Sequence, residues 1–263
     1  MKIEVISRMN NPLINDELLR RGAVYFDTVD STNIAAKRLA RERARHMTMV
    51  LADEQTQGRG RRGRSWLSRA GHGAWMTIIV RPDVSPEHAP ELVLVAAVAL
   101  SDAITNITGM KASIKWPNDV QLNGKKISGT LLELSVSGVD LDFAVVGVGV
   151  NILGRDFPDD LPDAASLESI TGAEYKRTDV VTAFWDAFVR RYDDWAAGGL
   201  PAIMPDYKKH SITIGAQVKA ICPDGEHIGR AIDIAPNGAL MLKLDSGEIR
   251  HLYAGDVSIR GAL

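Results

Sequence analysis

The sequence predicts an α+β fold with a small all-β module at its C-terminal end. Three observations lead there. Asn123-Gly124 lies between two apolar runs, the strongest short-range signal for a β-hairpin, so the middle of the chain is antiparallel. Helix-patterned segments lie on both sides of that middle, which argues for α+β architecture. After about Ser211 the texture changes to short strand-like runs, separated by Pro223-Asp224-Gly225, Pro236-Asn237-Gly238 and Asp245-Ser246-Gly247. These divide the chain into a larger domain over residues 1–210 and a barrel-like module over residues 211–263, small enough to lean on its neighbour.

The elements follow in order. Residues 23–29 alternate as a strand and end at Asp30-Ser31-Thr32-Asn33, a cluster of N-cap residues, so a helix over about 34–45 follows. Residues 48–52 form a short apolar strand. Residues 55–64 are polar, punctuated by glycine and too flexible for a regular element. Residues 74–80 return to strand character and stop at Arg81-Pro82. Ser85-Pro86-Glu87 is expected to cap a helix running to Thr108, with Pro86 at the first helical position and Gly109 as its stop. Strands are expected over 113–116, 120–122, 126–136 and 141–150. Thr178 opens a long helix in which Phe184, Phe188, Tyr192 and Trp195 share one face; a buried core face is the reading favoured over a ligand role. Gly198-Gly199 breaks it. Short strands then cover 216–220, 229–234, 239–244 and 248–253.

Composition narrows the function. The formal net charge is −2, lower than expected of a protein whose main partner is a nucleic-acid backbone. The single cysteine, Cys222, excludes an internal disulfide and a multi-cysteine zinc or iron–sulfur site, and it fits a reducing compartment. No metal ligand set is expected. Met1-Lys2-Ile3-Glu4 leads into Arg8, Asn10 and Asn11 without an apolar run, so no secretory signal and a cytoplasmic location are expected. The longest apolar stretch, residues 92–100, is far short of the ~20 residues of a membrane span and reads as a core element.

Three segments carry candidate chemistry. Residues 55–66 concentrate Arg59, Arg61, Arg62 and Arg64 within six positions, with Gly58, Gly60 and Gly63 between them and Trp66 at the end. Guanidinium groups match phosphate and carboxylate oxygens in planar bidentate geometry, so the favoured reading is a mobile anion clamp that orders over a phosphorylated ligand. A solvated charged loop and an Arg/Gly nucleic-acid contact remain alternatives. The segment is not a P-loop, because Gly-x-x-x-x-Gly-Lys-Ser/Thr is absent. The second segment is Lys115-Trp116-Pro117-Asn118-Asp119 followed by Lys126 to Gly129. It shapes a turn, yet Lys126 opens an apolar strand, where a charge is costly unless paired. A lysine there can hold a carboxylate or neutralise charge growing on a phosphate, and Asp119 can orient a metal or accept a proton. The third, Gly147-Val148-Gly149-Val150-Asn151, permits close backbone approach and offers an amide.

Together these segments resemble the biotin–protein ligases. That family's pattern runs Asp-Ser-Thr-Asn, Gln-x-x-Gly-Arg-Gly-Arg-x-Gly-Arg-x-Trp, Lys-Trp-Pro-Asn-Asp, Lys-x-x-Gly and Gly-x-Gly-x-Asn. Asp30 to Asn33, Gln55 to Trp66, Lys115 to Asp119, Lys126 to Gly129 and Gly147 to Asn151 match it in order and spacing. The resemblance implies a class II synthetase-like catalytic fold, with a central mixed, largely antiparallel sheet and flanking helices, followed by an SH3-like β-barrel. It implies that biotin and ATP, with Mg2+, give biotinyl-5′-AMP, and that a lysine of a biotin carboxyl carrier protein then takes the biotinyl group.

Carried over residue by residue, the resemblance puts Ser31, Thr32, Asn33, Gln55, Gly58, Arg59, Gly60, Arg61, Lys126 and Gly129 at the biotin site. It puts Arg59, Arg61, Arg62, Arg64, Trp66, Asn118 and Asn151 at the nucleotide, and gives Lys126, Arg61, Arg59 and Asp119 catalytic roles. The exchanges at Ala74 and Thr77 depart from the family's pattern beside the biotin pocket. Only 22 residues precede Ala23, too few for the winged helix of members that bind an operator, so no DNA partner is expected. No membrane partner is expected either, and a homodimer is implied by resemblance alone. The alternatives are a lipoate–protein ligase-like acyltransferase, which normally lacks Lys-Trp-Pro-Asn-Asp, and an Arg/Gly-loop nucleic-acid-binding protein.

Overall fold

The computed structural model describes residues 13–222, 225–253 and 255–259. In chain order the larger domain contains α1 (Asp16–Arg20), β1 (Val24–Val29), α2 (Thr32–Arg41), β2 (Met49–Gln55), β3 (Gly73–Val80), α3 (Leu92–Thr108), β4 (Ser113–Lys115), β5 (Asp119–Leu122), β6 (Lys125–Ser137), β7 (Asp140–Asn151), α4 (Leu167–Thr171), α5 (Arg177–Gly198) and α6 (Leu200–His210). Its seven-stranded sheet has the order β1-β2-β3-β7-β6-β5-β4. Only β1 and β2 pair in parallel, with α2 as their crossover, so the sheet is mixed and largely antiparallel.

Helices cover both faces. Ala35, Ala36, Leu39 and Ala40 of α2 pack on Val50, Ile79, Phe143 and Val145. The opposite face carries the main core, where α3 lies against β4, β5, β6 and β7, and α5 packs beside α3 and against β3. Burial on both sides explains why β3 reads as a continuous apolar run, with every residue from Gly73 to Val80 buried. Phe184, Phe188, Tyr192 and Trp195 all sit in that core, as the spacing predicts. The stretch Ala89–Thr108 is long and apolar enough by composition to cross a membrane, but here it is the core helix, with Leu92 and nearly all of residues 94–104 buried.

The turn chemistry works as read. Asn123 and Gly124 take φ of 49° and 74°, the left-handed pair a two-residue hairpin requires, and Gly109 ends α3 at φ 69°. Three expectations need correction. Helix α3 starts at Leu92, not after Ser85. In a helix begun at Pro86, Pro90 would have to donate to the Pro86 carbonyl and its ring would clash there. Residues 86–88 form a turn and Ala89–Glu91 a single turn of 3-10 helix instead. Helix α2 runs from Thr32 to Arg41 and stops short of residue 45, because Arg43 turns to positive φ and Arg81 captures the Ala40 and Ala44 carbonyls. The short helices α1 and α4 and the proline-bearing α6 were not expected at all.

The C-terminal module contains β8 (Gln217–Cys222), β9 (Gly225–Ile234), β10 (Leu240–Leu244), β11 (Ile249–Leu252) and β12 (Asp256–Ile259). They form an antiparallel sheet in the order β11-β10-β9-β8-β12. No ladder joins β11 to β12 among the described residues, so the expected barrel is an open SH3-like sheet; β12 itself was not expected. Part of the Pro223-Asp224-Gly225 turn and the Met1 to Asn11 segment lie outside the described residues. Hydrogen bonds by which the module leans on the larger domain include Ile212 N–H to the Ile114 carbonyl at 3.0 Å, Trp116 N–H to Thr213 Oγ1 at 2.9 Å, and the Trp116 indole N–H to the Gly238 carbonyl at 3.2 Å. One apolar cluster runs through both.

Candidate active site

A cavity opens over strands β6 and β7, where the sheet is stripped to backbone. Gly129 of β6 pairs with Gly149 of β7, and Gly147 lies two residues back on the same face. A Cβ at Gly149 would collide with the Trp66 indole nitrogen, and one at Gly147 with the Asn33 side-chain amide. The Gly-x-Gly spacing thus seats two motif residues against bare main chain. Gly149→Ala should therefore push Trp66 off the floor; the expected result is a raised KM for the nucleotide with the fold intact, read from steady-state kinetics beside a thermal melt.

Ser31, Thr32 and Asn33 enter the cavity wall because α2 starts there, at the end of β1. Gln55 holds the Thr32 backbone N–H at 2.8 Å through its carbonyl oxygen and donates to Ser68 Oγ at 2.8 Å. It lines the cavity, but its polar atoms brace the wall. The Thr77 hydroxyl lies behind that wall, 2.8 Å from Thr32 Oγ1 and 2.7 Å from Asn33 Oδ1. Of the two departures from the family pattern, Thr77 thus acts from the layer beneath, and Ala74 is buried in the core.

The arginine-rich segment is more regular than expected. Gly60 N–H to Arg64 at 2.8 Å and Trp66 N–H to Gly58 at 2.8 Å close it into a narrow hairpin, with a turn of 3-10 helix over Arg61–Gly63. Arg59, Gly60, Arg61, Arg64 and Trp66 line the cavity. Two of the expected residues lie outside the cavity lining. Gly58 lies beneath the hairpin, where a Cβ would collide with the Trp66 carbonyl and the Ser68 hydroxyl. Arg62, at φ 57°, turns away and donates to the Ile221 carbonyl of the C-terminal module at 3.1 Å.

The remaining charges come from the hairpin strands. A bulge between Val120 and Gln121 brings Lys126 beside Asp119, with Nζ to Oδ1 at 2.7 Å. The same ammonium lies 5.4 Å from the Trp66 ring centroid, so its charge has both a carboxylate and an aromatic face. Asn118 accepts from Arg61 Nη1 at 2.9 Å and donates to the Thr130 carbonyl at 3.0 Å, tying the tip of the loop to β6. Asn151 lines the cavity, yet its amide donates to Ala165 at 3.1 Å and holds the segment after β7 over the sheet end.

Motif reading missed part of the site. Leu67, Met76, Phe157, Leu161 and Ala164 supply apolar wall. Glu133 of β6 stands at the back of the clamp. It accepts from Lys37 Nζ at 2.7 Å, Asn33 Nδ2 at 2.9 Å and Arg59 Nη2 at 3.0 Å. Burial alone would raise its carboxyl, but the hydrogen bonds from Lys37 and Asn33, with the charges of Lys37 and Arg59, win and hold it below its ordinary value of 4.5. With a folded value below the unfolded one, Glu133 stabilises the fold above about pH 4.5, and that contribution disappears as pH falls through the folded value. Acid titration of the melting temperature should accordingly fall more steeply for the wild type than for Glu133→Gln. A signal for Glu133 did exist: Asn33 and Lys37 stand one helical turn apart and so share a face.

The model of the biotin/lipoate A/B protein ligase family matches residues 25–151, and that of the biotin protein ligase C-terminal domain matches residues 213–260. The biotin–[acetyl-CoA-carboxylase] ligase of Paracoccus denitrificans is 36% identical over 83% of this chain and 92% of its own length. The chain belongs to the biotin protein ligase family. The bifunctional ligase/repressor BirA of Bacillus subtilis is 35% identical over 94% of this chain and 76% of its own length. Among solved structures, the biotin protein ligase from Aquifex aeolicus in complex with biotin and ATP superposes with a TM-score of 0.79 at 29% identity, covering 92% of this chain and 100% of that one.

Proposed function

We propose that this ATP-dependent ligase activates biotin as biotinyl-5′-AMP in the cavity over β6 and β7 and passes the biotinyl group to a lysine of a biotin carboxyl carrier protein. The observation that carries the reading is the placement of Lys126 and the Arg59–Arg64 hairpin around one cavity with the Ser31–Asn33 wall. In the first step a biotin carboxylate oxygen bonds to the α-phosphorus of ATP, the bond from that phosphorus to the bridging oxygen breaks, and pyrophosphate leaves. Two anions must meet, so the barrier is electrostatic. Lys126 and the loop arginines neutralise the approach. In the second step the carrier amine bonds to the acyl carbon, AMP leaves, and the amine gives up a proton.

Asp119 is the carboxylate among the lining residues, and it orients Lys126 throughout. Among the described residues no cluster of three His, Cys, Asp or Glu side chains could hold a metal ion, so Mg2+ is assigned to the phosphates of ATP. Trp66 packs beside the nucleotide, and Ser31 and Thr32 face the vitamin. This reading places the enzyme in the cytoplasm with its ATP and its carrier. Incubation with biotin, MgATP and a carrier domain tests it: the carrier should gain one biotinyl mass, with pyrophosphate released for biotin and not for lipoate. No pyrophosphate on adding biotin would overturn it.

A further inference from the structure

We propose that Glu133 is a positioning residue that anchors Arg59 by one edge of its guanidinium and links the arginine hairpin to the opposite cavity wall. The inference rests on the ligase reading above. Arg59 is engaged through Nη2 alone, at 3.0 and 3.3 Å from the two Glu133 oxygens. Nε and Nη1 are left for a ligand anion, on a residue that lines the cavity. The carboxylate cannot follow the arginine outward, because Lys37 and Asn33 hold it from the α2 side at 2.7 and 2.9 Å. Asn33 in turn meets Thr77, and Thr77 meets Thr32, which bonds Gln55. A contiguous cluster of polar contacts, in which two hydroxyl protons serve three close oxygen pairs, therefore runs from the clamp to the wall bearing Ser31 and Thr32.

The chemistry demands a carboxylate. Glu133 accepts from an ammonium, a guanidinium and an amide NH2, so an amide in its place would turn a donor toward one of them. The held-down carboxyl of Glu133 fits a group that stays charged to balance both cations. An arginine pinned at one edge has less freedom to lose when the ligand arrives, so the anchor lowers the ordering cost of closure.

A double-mutant cycle of Glu133→Gln and Arg59→Ala tests this in the full chain, with biotin, ATP and carrier domain. Glu133→Gln should raise KM for biotin and the release rate of the acyl-adenylate by about tenfold, with kcat for transfer within about twofold of wild type. In the Arg59→Ala background the same substitution should add less than about twofold. Lys37→Met, which removes one of the two groups that hold the carboxylate and leaves Asn33 and Arg59 in place, should cost less than Glu133→Gln. If Glu133→Gln does not fold, Glu133→Asp, which keeps the charge and withdraws it by one methylene, replaces it in the same cycle with the same expected non-additivity. Additive losses, or a Lys37→Met loss equal to that of Glu133→Gln, would overturn the anchor while leaving the ligase intact. A wild type that releases no pyrophosphate with biotin would overturn both.

Discussion

Replacing Lys126 with alanine should slow biotin activation by on the order of 100- to 1000-fold, the usual consequence of removing a charge aimed at a transition-state anion. Lys126 is the ammonium brought by the β5 bulge to the floor of the cavity, 2.7 Å from Asp119 and over the Trp66 ring. Arg59 and Arg61 are held at Glu133 and Asn118, so neither stands at Asp119 as Lys126 does. The substitution has a second cost. It leaves Asp119, whose side chain is only 19% exposed, without its counter-charge, at about 1–3 kcal/mol of stability. Lys126→Ala combined with Asp119→Asn should recover most of that stability and none of the rate. Pyrophosphate release and thermal melts separate the two effects; a Lys126→Ala enzyme with full first-step rate would remove the lysine from the mechanism.

Arg61→Ala should act on the other side of the reaction by letting the acyl-adenylate escape. Arg61 stands at the tip of the hairpin and is fastened to Asn118, which is itself fastened to β6. A charge-assisted contact of this kind is worth about 1.5–3 kcal/mol, so release should accelerate about ten- to a hundredfold. The turn Arg61–Gly63 buries no residue, so the melting temperature should barely move. Single-turnover trapping of free adenylate measures the leak. Retention equal to the wild type would show that the hairpin closes without this arginine.

Much of this was legible in the sequence, because the strongest local signals agreed with the tertiary arrangement. The Asn123-Gly124 turn set the antiparallel centre, and the aromatic stripe of α5 lay where its spacing put it. Misreadings came where local signals competed. Ser85-Pro86 resembles a helix start, but Pro90 makes that start impossible. Two prolines and a run of polar residues concealed α6. In the site, motif residues were found because glycine, arginine and tryptophan are unusual neighbours. Glu133 was overlooked because an acid between leucines in a strand reads as the solvent-facing half of an alternation. Its three partners lie far away in sequence, and only the fold unites them. Arg62 shows the converse: it shares a motif with Arg61, yet one residue of left-handed backbone sends it to another domain.

The stripped strip of Gly129, Gly147 and Gly149 bears on how this enzyme can be redesigned. A floor made of main chain offers nothing to truncate, and each of these glycines already touches Trp66 or Asn33. Room for enlarged vitamin analogues, such as those carrying chemical handles, must therefore be cut from the rim. Leu67 and Leu161, both more than a third exposed, and Phe157 beside them are the positions to shave.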